Sequence, residues 1–119
     1  MKKPIPYGRQ HISEAEIEAV KETLQSDFLT QGPKINEFEE KFAAYIGSRY
    51  AVAVSNGTAA LHLSMMALGV DEDTNVIVSP ITFAADGNCV RYCGGNVYFA
   101  DIDPETFNLD IDSVRKLIE

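Results

Sequence analysis

Apolar positions recur every three or four residues in the first part of the chain and gather into short unbroken runs after residue 50. Ile17, Val20 and Leu24 form a stripe that predicts a helix from about 14 to 25. Its start is marked by Ile12-Ser13-Glu14-Ala15-Glu16-Ile17. Ser13 can cap the orphan amides while Glu16 reaches back to the cap, and Ile12 and Ile17 are placed to staple across it. Gly32-Pro33 makes the stretch from Asp27 to Pro33 a loop. Ile35, Phe38, Phe42 and Ile46 then predict a second amphipathic helix, about 34 to 46. Pro33 suits its first position and Gly47 its stop.

Beyond this point the pattern changes. Tyr50–Val54, Val76–Val78 and Val97–Ala100 are short apolar runs, the pattern of buried strands. Between the first two, Thr58 to Leu68 is apolar on nearly every side, which predicts a deeply covered helix ended by Gly69. A further helix is expected to begin near Thr82 or Phe83 and stop at Gly94-Gly95, and a last one to begin at 110–112. Strand–helix alternation of this kind predicts an α/β fold with a mixed, mainly parallel sheet. The expected organisation is a helical segment over 1–49 followed by incomplete β/α units over 50–119. So few strands leave sheet edges open, so the sequence is expected to be a piece of a larger fold.

Composition narrows the function. The chain has 119 residues, 10 basic and 18 acidic, for a net charge of -8. That balance offers no footprint for a phosphodiester backbone, so nucleic acid is not an expected partner. No apolar run has the roughly 20 residues of a membrane span, and Met-Lys-Lys-Pro-Ile-Pro lacks the apolar core of a signal peptide. A cytoplasmic location is expected. Cys89 and Cys93 are read as two small buried hydrophobes rather than metal ligands, because His11 and His62 are distant in sequence. His62 is expected to be a satisfied core residue.

Two stretches carry candidate chemistry. In Val54-Ser55-Asn56-Gly57-Thr58 a strand hands over to a helix through a tight turn. The first amides of a helix have no intrahelical partner and carry the positive end of the peptide dipoles, a geometry that suits a phosphate. Ser55 and Thr58 add hydroxyls, and Gly57 permits close approach. The alternative is an ordinary capped helix. Neither the Gly-Lys-Ser/Thr of a nucleotide-triphosphate loop nor Gly-x-Gly-x-x-Gly is present. In Ser79-Pro80-Ile81-Thr82-Phe83-Ala84-Ala85, Phe83 stands at the C-terminal end of a predicted parallel strand, where α/β sheets bind ligands. Its ring could stack on a flat ligand or simply fill core.

Leu29-Thr30-Gln31-Gly32, Ser55-Asn56-Gly57-Thr58-Ala59-Ala60-Leu61, Pro80-Ile81-Thr82-Phe83-Ala84-Ala85 and Phe99-Ala100-Asp101-Ile102-Asp103 occur in that order. Together they resemble the N-terminal third of the DegT/StrS-type nucleotide-sugar aminotransferases, fold-type-I enzymes dependent on pyridoxal 5'-phosphate. Cys89-Val90-Arg91-Tyr92-Cys93-Gly94-Gly95 is similar to the branch that aminates C4 of a UDP-linked 4-keto-6-deoxy N-acetyl sugar on the way to pseudaminic acid. The resemblance implies transfer of an amino group, with glutamate as donor, to a nucleotide-linked keto sugar. It implies that Ser55, Asn56, Gly57 and Thr58 hold the cofactor phosphate and that Phe83 stacks on its ring. Tyr7 and Asp27, Phe28, Leu29 and Thr30 would line the sugar-nucleotide side, and the active form would be a homodimer. The Schiff-base lysine of the family is expected beyond residue 119. Lys2, Lys3, Lys21, Lys34, Lys41 and Lys116 sit at the terminus or beside polar helix faces, so none is expected to replace it. The 119 residues alone would then be inactive, and a non-catalytic or purely phosphate-binding module is the rival reading. Asp86-Gly87 departs from the family pattern of a small hydroxyl residue followed by alanine.

Overall fold

The computed structural model describes residues 5–119, so Met1, Lys2, Lys3 and Pro4 lie outside the described residues. The chain divides into two compact units, one running to Ala53 and the other from Val54 to Glu119.

The first unit is helical. Helix α1 spans Glu14–Leu24 and α2 spans Pro33–Ile46. At the head of α1 the Glu16 carboxylate accepts hydrogen bonds from both the Ser13 hydroxyl and the Ser13 N–H. The hydroxyl bond, then the N–H bond, hold the Glu16 carboxyl below its ordinary range. Ser13→Ala is expected to cost about 1 kcal/mol of unit stability, read from a urea melt followed by circular dichroism. Pro33 occupies the start of α2, and Gly47 closes it in the left-handed region at φ 71. There the Ser48 N–H reaches the Ala43 carbonyl at 3.0 Å. Phe38 and Phe42 stack on one face of α2 with centroids 5.7 Å apart.

Beside this apolar face, Glu37 accepts from Lys34 at 2.8 Å and Lys41 at 2.6 Å. Hydrogen bonds from Lys34 and then Lys41 hold its carboxyl at about 2, down from 4.5. A depressed carboxylate stabilises the helix above its unfolded value, and that support is lost as pH falls through the folded one. The α2 helix should therefore weaken between about pH 4.5 and pH 2. A proton NMR titration of Glu37 reads this directly, and Lys34→Ala should move its midpoint upward.

The second unit is the α/β part. It runs α3 (Gly57–Ala67), β1 (Asn75–Val78), α4 (Ala85–Tyr92), β2 (Asn96–Phe99) and α5 (Ile111–Ile118). The two strands pair in parallel, with Asn75 opposite Asn96 and Val78 opposite Phe99. Helix α4 is the crossover between them and packs on both strands and on α3. The core lies beneath it: Ala85, Cys89, Val90 and Ala100 are buried. Burial pushes the Cys89 thiol up, as expected of a structural cysteine, while Cys93 is half-buried and free. His62 is half-buried and meets the Tyr92 ring edge-on at 5.3 Å, which ties α3 to α4.

Three expectations need correction. Tyr50–Val54 forms no strand: it has no ladder partner among the described residues, and the Ala53 N–H is taken by the Glu39 carboxylate at 2.7 Å. Tyr50 and Val52 are exposed rather than buried. Helix α3 is also not deeply covered, for none of its residues is buried and Leu63 and Met66 face outward. Within its unit α3 packs mainly on α4, so only one side of an all-round apolar helix is covered. Finally, α4 starts at Ala85, and Thr82 and Phe83 belong to the preceding turn.

Candidate active site

Helix α3 begins with an open, donor-rich turn. Asn56 adopts extended backbone geometry as the N-cap, and its side-chain oxygen accepts the Ala59 N–H at 2.9 Å. The Ala60 N–H returns to the Asn56 carbonyl at 3.2 Å. Among the described residues the Gly57 and Thr58 N–H groups have no acceptor, as the first amides of a helix require. A Cβ placed on Gly57 would meet nothing within 4 Å. The turn is therefore open to a group that accepts two amide hydrogen bonds and carries negative charge, which is what a phosphate does. Asn56 itself is spent on the cap, and its amide nitrogen donates to the Ser55 hydroxyl at 3.2 Å.

Phe83 lies in the same unit, in the turn between β1 and α4. Phe83 is 76% exposed and lines a cleft of about 460 Å³. Thr82, Gly87, Arg91 and Phe99 are among the cleft's other walls. Arg91 was not singled out from the sequence. Its guanidinium donates to the Gly95 carbonyl at 2.9 Å, which fixes its stem along the cleft. Ser55–Thr58 and Phe83 thus belong to one unit, although the Phe83 cleft draws no wall from the α3 turn.

The other expected site residues belong to the first unit. Tyr7 is fully exposed, and Asp27, Phe28, Leu29 and Thr30 lie on the exposed connection between α1 and α2. The Ser26 hydroxyl donates to the Thr23 carbonyl at 2.7 Å and to the Phe28 carbonyl at 3.2 Å. A Cβ on Gly32 would fall 2.8 Å from the Phe28 carbonyl oxygen, so the tight return of this loop demands glycine. Leu29 lines an apolar groove of about 450 Å³ with Val20 and Leu24.

Three of the four lysines among the described residues are engaged in ion pairs. Lys21 pairs with Glu18 at 2.9 Å, and Lys34 and Lys41 pair with Glu37. Its hydrogen bond to the Glu37 carboxylate pushes Lys34 up, away from the neutral form a nucleophile needs. No cluster of three or more metal-ligating side chains occurs among the described residues, and no helix there is long and apolar enough to cross a membrane.

Residues 10–119 match the model of the DegT/DnrJ/EryC1/StrS aminotransferase family. The chain belongs to that family. Within it, the chain is 46% identical over 87 residues to GDP-perosamine synthase of Caulobacter vibrioides, covering 73% of this chain and 24% of that protein. It is 41% identical over 98 residues to the UDP-4-amino-4,6-dideoxy-N-acetyl-beta-L-altrosamine transaminase of Campylobacter jejuni, covering 82% and 26%. Among solved structures, the PLP-form of the sugar aminotransferase Spr1654 from Streptococcus pneumoniae superposes with a TM-score of 0.88 at 34% identity, over 94% of this chain and 29% of that one. The chain spans about a quarter to a third of the length of the curated relatives it matches. As a DegT/DnrJ/EryC1/StrS member it has the α/β architecture of sugar aminotransferase structures, with the parallel β1–α4–β2 crossover in its second unit.

Proposed function

We propose that this chain is part of an aminotransferase that uses pyridoxal 5'-phosphate to move an amino group from glutamate to the keto carbon, C4, of a nucleotide-linked deoxy sugar. Family membership supports the reaction class. The observation that carries the reading is the α3 turn, where two unclaimed amides and an open Gly57 fit a phosphate. When bound, the cofactor supplies the electron sink that lets nitrogen leave one carbon and join another. The chain's own residues bind and orient: Gly57 and Thr58 N–H donate to the phosphate, the Ser55 and Thr58 hydroxyls add donors, and Phe83 offers a flat apolar face to the ring. Tyr7 and the stretch Asp27–Thr30 line the sugar-nucleotide side of the active form, a homodimer in the cytoplasm.

The test is an assay of the intact protein with glutamate and two acceptors, a UDP-linked 4-keto-6-deoxy N-acetyl sugar and GDP-4-keto-6-deoxymannose. Formation of 2-oxoglutarate and amino sugar in equal amounts supports the reading, and the faster acceptor identifies the nucleotide. No amination of either acceptor contradicts it. Residues 1–119 alone should give no product under the same conditions, because the described lysines are exposed and three are ion-paired.

A further inference from the structure

The departure at Asp86 has a structural counterpart. Asp86 sits in the first turn of α4 and is half-buried. Its carboxylate accepts a hydrogen bond from the Thr82 hydroxyl. Its backbone N–H donates to the Phe83 carbonyl at 3.0 Å. One residue thus holds both the residue before Phe83 and Phe83 itself. Among the described residues the turn between β1 and α4 has two other ties, a 3.3 Å bond from the Ile81 N–H to the Ser79 hydroxyl and a 3.0 Å bond from the Asn88 N–H to the Ala84 carbonyl, and neither holds Thr82 or Phe83; Ile81, Thr82, Phe83 and Ala84 are all exposed. Cys89, one turn further on, is buried and donates from its thiol to the Asp86 carbonyl at 3.1 Å. The anchor therefore runs from the core, through Asp86, to the exposed aromatic.

From this geometry we propose that Asp86 is a positioning residue: its carboxylate, by accepting from Thr82, fixes the turn that presents Phe83. It rests on the reading that Phe83 faces the cofactor ring. The Asp86 carboxylate is engaged by the turn that precedes its own helix. Asp86 stabilises that turn near a helix N-terminus, where negative charge is favourable. A serine or threonine at this position has a side chain one atom shorter than that of Asp86 toward the Thr82 hydroxyl. Asparagine preserves the acceptor oxygen without the charge, and so separates the hydrogen bond from the electrostatics.

Nitrogen-15 relaxation on the full chain tests this without any cofactor. In the unaltered protein the Phe83 and Ala84 amides should have order parameters near the rigid-backbone value of about 0.85. Asp86→Ala and Thr82→Val should each drop them below about 0.6, while Cys89 and Val90 stay rigid. Asp86→Asn should restore them. Unchanged order parameters at Phe83 in both Asp86→Ala and Thr82→Val overturn the proposal. So does equal loosening of Cys89 and Val90, which would mark Asp86 as a general helix stabiliser. The tie and the function are separable by adding pyridoxal phosphate to the intact protein. If Phe83 loosens in Asp86→Ala but its ring resonances ignore the cofactor, the tie stands and the cofactor reading falls.

Discussion

Replacing Gly57 by valine is expected to weaken binding of pyridoxal phosphate to the intact protein by about 10- to 100-fold while leaving α3 folded. The first half follows from the donors. Hydrogen bonds to a charged group are each worth roughly 1.5–3 kcal/mol, and a branched side chain at Gly57 keeps the anion from the two free amides. The second half follows from space. A Cβ at Gly57 meets no atom within 4 Å, and no left-handed backbone angle is required there. Capping by Asn56 through the Ala59 N–H is also untouched. Equilibrium dialysis against the cofactor reads the affinity, and circular dichroism reads the helix. Loss of both together would mean that Gly57 serves the fold rather than the ligand.

Gly95→Ala should destabilise the second unit by about 1–3 kcal/mol. Gly95 is buried between the end of α4 and β2, with its N–H on the Val90 carbonyl at 3.1 Å. A Cβ there would lie 2.8 Å from Cγ1 of Val70 and 2.8 Å from Cγ1 of Val90. Val90 is 1% exposed, so it cannot move aside without disturbing the core. Gly87→Ala is the contrast. Its Cβ would find Val97 and Phe99 at 3.8 and 4.0 Å, ordinary contact, and it lies inside α4. Alanine there should stabilise by roughly 0.5–1 kcal/mol through the unfolded state and helix propensity. Urea unfolding of both variants checks the opposite signs, and a destabilised Gly87→Ala would refute the packing described for α4.

Features set by neighbours in sequence were legible, and those set by neighbours in space were not. The Ser13–Glu16 box, Pro33, Gly47 and the apolar stripes located α1 and α2 because each acts within one or two turns. The runs at 76–78 and 97–100 located β1 and β2 to within a residue. Tyr50–Val54 has the same apolar composition but no adjacent strand among the described residues, and a strand exists only as half of a ladder. The apolar surface of α3 told what the helix could bury, not what covers it. At the candidate site, the Gly57–Thr58 turn could be read because its donors are backbone groups fixed by strand–turn–helix order. The Thr82–Asp86 bond was not read, because the helix was expected to begin near Thr82 or Phe83, and with α4 starting at Ala85 the contact depends on how the preceding turn folds back on the helix.

The most direct measurement is a structure of the intact protein crystallised with pyridoxal phosphate. The phosphate oxygens should lie about 2.7–3.2 Å from the Gly57 and Thr58 nitrogens, with the Phe83 ring against the pyridine face. A phosphate bound elsewhere, with those two amides satisfied by protein groups, would contradict the assignment.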